Sequence, residues 1–224
     1  MSLWQRHRAS LLGIPVALAL ALLLSGQRLE LLWDATGPRE PVAVDADGWA
    51  RINGQAPISP DPKETRTRPV PLAVRAGWID ASTAYSTGPG AEPTPVSLPD
   101  GLTLWRVKLT FRADPDDPVS MCKVIVTDED GAEYGPGLRA VPDGNIDQNP
   151  CLPPATPGPN LDGTMPTDFE GAPRPPRPQE WDRYVSFVMP SGRIPQSVRV
   201  WFAYPQAAVF PLDPGPLPSG PGSG

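Results

Sequence analysis

Histidine is almost missing from this chain of 224 residues: His7 is the single one, and it stands before the long apolar run. Everything after that run lacks an imidazole. Histidine general-base work, Ser-His-Asp and Cys-His catalysis, and histidine-containing zinc sites are therefore out. Cysteine is nearly as scarce, with Cys122 and Cys151 the only two. None lies near the apolar run, which excludes a lipoprotein signal. Basic charge is short as well. Nineteen Lys and Arg stand against 25 Asp and Glu, a net charge of −6. That balance argues against nucleic acid and against charge-driven docking on anionic lipid. No internal repeat is found, and beyond the apolar run no segment carries a long helical period.

Proline is what the chain has in excess. There are 34 prolines beside 21 glycines, about three times ordinary proline usage. Seven tryptophans and clear apolar stretches argue against wholesale disorder. The composition reads as a modest folded core with long irregular excursions.

The apolar run lies within "RHRASLLGIPVALALALLLSGQR", residues 6–28. Leu11 to Leu24 is free of charge, and as a helix Ser10 to Gln27 would span about 27 Å at about 1.5 Å per residue. A bilayer's hydrocarbon core is about 30 Å. Trp4 and Trp33 suit the two interfaces, and Arg28 can snorkel to the far one. A cleaved signal needs small residues just after the run. Here cuts after Gly26 or Ser25 put Leu24 or Leu23 at the third position back. A retained anchor is favoured; a cleaved signal is the alternative. Arg6 and Arg8 precede the run, so the N-terminus is expected in the cytoplasm and the remainder outside. The expected organisation is a basic stub at 1–9, a transmembrane anchor at 10–28 and a linker at 29–48 closing on a "DADG" turn. A sandwich at 49–204 follows, with a proline-rich insertion at 135–178, and then a flexible Pro/Gly tail at 205–224. On the outer side Cys122 and Cys151 can pair, which would stabilise the fold by about 3–4 kcal/mol. The other reading is two unpaired thiols.

Strands are legible from period-2 alternation. "LTLWRVKLTF" (102–111) is the clearest, with Trp105, Val107, Leu109 and Phe111 on one face and Arg106, Lys108 and Thr110 on the other. "SMCKVIVT" (120–127) puts Cys122, Val124 and Val126 together. It runs into the turn "DEDG" and a short returning "AEYG". "YVSFVM" (184–189) and "VRVWFAY" (198–204) alternate too. "WARI" (49–52) is a short strand, and residues 56–71 read as irregular. "LAVRAGWI" (72–79) aligns Leu72, Val74, Ala76 and Trp78 on one face. Gly135 to Pro178 holds twelve prolines and no period. It reads as a large insertion between strands, held at one point by Cys151. Strands separated by proline- and glycine-rich turns imply an all-β antiparallel sandwich.

The ordered set "LWRVKLTF…MCKVIVTDEDGAEYG…YVSFVMPSGRIPQSVRVWF" resembles the telokin-like, immunoglobulin-like extracellular domains of actinobacterial and other Gram-positive surface proteins, over roughly residues 102–204. The resemblance implies an immunoglobulin-like β-sandwich used for binding or spacing in the cell envelope. It supplies no catalytic residues.

Three patterns bear on chemistry. "SMCK" (120–123) has Ser-x-x-Lys spacing, but on a strand Ser120 and Lys123 face opposite sides. The carboxylates of "DPDD" (114–117) and "DEDG" (128–131) are more simply solvated turns than a glycosidase pair. "DGNIDQN" (143–149) sets Asp143, Asn145, Asp147 and Asn149 at alternate positions. Gln148 and Pro154 stand where an EF-hand needs glycine and glutamate. A looser calcium site is the candidate there, and a turn-rich polar loop is the bland reading. No other cofactor is implied. Trp105 reads as core, whereas Trp49, Trp78, Trp181 and Trp201 are open between packing and a sugar- or peptide-binding platform. The expectation is a non-enzymatic, single-pass membrane protein whose outer β-sandwich binds or scaffolds an envelope protein partner. The alternative is a secreted metal- or small-ligand-binding β-domain.

Overall fold

The computed structural model describes residues 40–57, 67–119, 122–137, 149–168, 170–202 and 205–214. The chain divides into two units, Met1–Arg39 and Glu40–Gly224. The first holds the expected stub and the anchor at 10–28, and it lies outside the described residues. Among the described residues no helix is long and apolar enough to cross a membrane.

Among the described residues of the second unit, regular structure is β throughout. A four-stranded sheet has the order β2-β3-β6-β9, formed by β2 (Ala50–Pro57), β3 (Thr67–Ser82), β6 (Leu102–Arg112) and β9 (Glu180–Pro190). A five-stranded sheet has the order β1-β11-β10-β7-β8. Its strands are β1 (Glu40–Pro41), β7 (Lys123–Asp128), β8 (Glu133–Tyr134), β10 (Pro195–Trp201) and β11 (Gln206–Pro211). A small hairpin pairs β4 (Ala84–Tyr85) with β5 (Thr94–Pro95). All these strand pairs are antiparallel except β1 with β11.

The alternation read from the sequence makes the core. Trp105, Val107, Leu109 and Phe111 of β6 and Val185, Phe187 and Met189 of β9 are buried. They share one apolar cluster with Val124 and Val126 of β7 and Val198 and Val200 of β10. Two sheets burying alternate residues against each other form a β-sandwich. Its edges meet where the Asn53 N–H donates to Gln206 Oε1 at 2.8 Å. Beside it the Phe202 ring sits so close to Gly54 that an added Cβ would lie 2.3 Å from it.

The expected "DADG" and "DEDG" turns are present. Asp45 Oδ1 accepts the N–H groups of Asp47 and Trp49, and Asp128 Oδ1 those of Asp130 and Ala132. Gly131 completes the second turn at φ +83°, a conformation without steric cost only for glycine.

Four expectations need correction. Ala76 pairs with Leu109, but the next core pair is Ile79 with Val107, so β3 carries one extra residue around Gly77. That bulge moves Ile79 into the core and turns Trp78 out to 40% exposure. Residues 67–71, read as irregular, belong to β3. Pro69 and Pro71 are accommodated there because this end of β3 pairs with β2 alone, beyond the last β6 partner at Ala73. The tail expected from 205 begins too early. Gln206–Pro211 is β11, since pairing with β10 lets Ala208 and Phe210 fill the core. The linker expected to run to 48 contains β1, joined to β11 by the Glu40 and Val42 N–H groups.

Candidate functional site: the clamped insertion

The insertion is fastened at several points rather than one. The Cys122–Cys151 disulfide is present, with Cα atoms 5.9 Å apart and both residues buried. The indole N–H of Trp181 donates to the Cys151 carbonyl at 2.7 Å, and its ring stacks on Phe111 at 5.8 Å.

Three arginines supply the other fastenings. Arg183 falls on the inward series of β9, between Trp181 and Val185, yet its guanidinium reaches backbone. Nε donates to the Pro150 carbonyl at 3.2 Å and an Nη to the Thr87 carbonyl at 3.0 Å. Arg177, only 1% exposed, donates to the carbonyls of Pro157, Asp114 and Asp117 at 3.1, 2.7 and 2.7 Å and lies over the Trp181 ring. Burial pulls its guanidinium down from its ordinary value, and the Asp117 and Asp114 carboxylates oppose that. Asp117 is itself paired with Arg68 of β3. Arg174 donates to the Pro154 carbonyl, and its own N–H goes to the Pro166 carbonyl.

Inside this framework lies a cavity of about 490 Å³. Leu152, Val119 and Leu161 line it together with Pro153, Pro154, Pro157, Pro159 and Pro166. Arg174 is its one charged lining residue. The five prolines have no main-chain N–H to offer, and Asn149, Asn160 and Arg174 supply the polar side chains of the wall. A long segment without regular structure inside a compact domain is either functional or a linker. One held rigid by this many bonds presents its surface in a fixed shape.

A second concavity, about 380 Å³, lies beside Trp49, Arg51 and Arg112. There Arg112 is paired with Glu180 and lies over the Trp49 ring, as does Arg75. The Asp45, Asp47 and Asp114 carboxylates also line it, so its charges offset one another. Elsewhere on the outer face of the four-stranded sheet, Arg106 lies over Trp78 and Tyr184 at 5.0 and 5.4 Å, held by Asp80. Lys108 pairs with Asp182 at 2.9 Å. Burial raises the Asp182 carboxyl, but the Thr110 hydroxyl and Lys108 outweigh it and hold it below its ordinary value.

Of the calcium candidates, Asp143, Asn145 and Asp147 lie outside the described residues. Asn149 lines the proline-walled cavity, and its carbonyl accepts the Leu152 N–H at 3.1 Å. Ser120 also lies outside, and Lys123 is exposed at the start of β7. Among the described tryptophans Trp49, Trp105, Trp181 and Trp201 are buried, Trp201 under Arg199, and only Trp78 is substantially exposed. Sequence reasoning missed Arg174, Arg177 and Arg183. The one available signal was a charge on the apolar phase of β9, hidden while that strand was read as starting at Tyr184.

No protein-family model matches the chain, and no curated protein does. Among solved structures, an uncharacterized β-sandwich protein from Clostridium difficile 630 is similar over 63% of this chain and 85% of its own, with 10% identity and a TM-score of 0.34.

Proposed function

We propose that this is a single-pass protein anchored by residues 10–28, with its N-terminus in the cytoplasm and an immunoglobulin-like β-sandwich outside. Its role is non-catalytic: binding or scaffolding in a bacterial envelope, toward an envelope protein or a ligand. The observation that carries this reading is the buried Cys122–Cys151 bridge. Structural disulfides persist in oxidising compartments and are rare in the cytosol. The apolar run at 10–28 supplies the route out. The binding role is supported by the clamped insertion, which devotes a disulfide, three arginines and a tryptophan to fixing irregular backbone.

The test is fractionation of cells expressing the full chain, with thiol alkylation before and after reduction. The expected result is a full-length protein in carbonate-washed membranes, cut by added protease in intact spheroplasts, that accepts alkylating reagent only after reduction. A shortened protein in the medium would support the secreted alternative. Cytosolic protein with two free thiols would overturn both.

A further inference from the structure

The geometry points to the proline-walled cavity of the insertion as a binding site for a small apolar carboxylic acid, held by Arg174. An acid as ligand deepens the binding role proposed above and rests on that reading.

The cavity, about 490 Å³, lies in the size range of small-molecule sites. Leucine, valine and five prolines make up most of its wall and favour an apolar body, with Asn149 and Asn160 as the uncharged polar side chains. Arg174 is the only charged lining residue, and among the described residues it has no carboxylate partner. Asp162 accepts the N–H and hydroxyl of Thr164, and Asp168 accepts the N–H groups of Glu170 and Ala172. Asp117 is paired with Arg68. One bond to the Pro154 carbonyl leaves the rest of the guanidinium fork free. That fork matches a carboxylate, and its single charge matches a monoanion rather than a phosphate dianion. Asn160 donates one amide N–H to Thr164 Oγ1. The prolines give no main-chain donors, so Arg174 is the charged donor of the lining, and the anionic end of a ligand is drawn to it ahead of the neutral amides of Asn149 and Asn160. Leu161, 42% exposed, lies among the lining residues and is where an apolar tail would gain cover.

The experiment is calorimetric titration of the full chain, as recovered from cells and in nanodiscs if it fractionates with membranes, with octanoate and with 1-octanol. Empty nanodiscs provide the blank. Octanoate should bind at least roughly tenfold tighter than octanol, the difference expected of a charge-assisted hydrogen bond. Arg174→Gln should erase that difference. Because Arg174 also holds the Pro154 carbonyl, a second variant acts on the exposed lining residue: Leu161→Asp should leave Tm unchanged and weaken octanoate at least tenfold. Equal affinity for acid and alcohol, no heat from either, or full octanoate affinity in both variants would overturn the assignment. So would tighter binding by a short peptide ending in a leucine carboxylate, which would make the occupant a chain terminus. None of these outcomes depends on where fractionation finds the protein, so the ligand and the location fail separately.

Discussion

Cys151 is bound to both sheets of the sandwich: its sulfur joins Cys122 ahead of β7, and its carbonyl receives the Trp181 indole N–H from β9 at 2.7 Å. The two ties constrain different states. The disulfide acts chiefly by restricting the unfolded chain, whereas the hydrogen bond acts only in the fold. Trp181→Phe keeps a ring against Phe111 and removes the donor, leaving a buried carbonyl without its partner. The expected cost is about 1–3 kcal/mol, read as a lower urea midpoint with an unchanged slope. An unchanged midpoint would show that another donor replaces the indole.

Gly158 tests the arginine clamp. It sits at φ +83°, and a Cβ there would lie 2.8 Å from an Arg177 Nη. Gly158→Ala therefore combines backbone strain of about 1–2 kcal/mol with displacement of a buried guanidinium from three carbonyls. Arg177→Met leaves three carbonyls without their donor and should cost more, about 3–5 kcal/mol, from about 1–3 kcal/mol for each buried polar group left unpaired. Thermal melts of both variants check the order. If Gly158→Ala proved the more damaging, strain rather than the clamp would dominate.

How much of this was legible follows from what sets each feature. Strand phase is local: Trp105 to Phe111 and Val185 to Met189 alternate because one face is buried, and the alternation is visible in the residues. The bulge at Gly77 is set by packing against β6, since a side chain at Gly77 would press on Lys108 with Cβ 3.3 Å from its Cγ. Nothing in "LAVRAGWI" announces that except the glycine. β11 was missed because Pro205 precedes it and Pro211 ends it, and both resemble the tail beyond. The arginine clamp was invisible because its acceptors are backbone carbonyls, which any residue supplies and no motif marks. The disulfide was legible from a count of two cysteines, both placed after the apolar run. The cavity was not, because prolines that look like disorder in sequence become a wall only when the backbone between them is tied.

Trp78 and Trp105 give a matched pair for the bulge. One is expelled to solvent and the other is 1% exposed. Trp105→Ala should cost about 3–5 kcal/mol, as for a large core truncation. Trp78→Ala loses only its packing on Tyr184 and its place under Arg106, about 0.5–1.5 kcal/mol. Comparable losses in denaturant titrations would mean that Trp78 is covered, and that the extra residue in β3 does not turn it outward.

Asp182 gives the fold an acid-sensitive point. Burial alone would raise its carboxyl, but the Thr110 hydroxyl at 2.6 Å and the Lys108 ammonium at 2.9 Å outweigh it, so the folded value lies below the unfolded one. For a depressed carboxyl, the unfolded chain takes up the proton first as pH falls. The stabilisation is therefore complete above the unfolded value, about 3.9, and is lost as pH drops from there through the folded value. Thr110→Val removes the hydroxyl donor while nearly keeping the shape. In the variant the Asp182 titration, followed by carboxyl carbon NMR, should move up toward the ordinary value. The difference in stability between the two proteins should be present at neutral pH and shrink through the acid range. A difference that stayed constant down to pH 2 would place the effect of Thr110 in packing and not in the charge of Asp182.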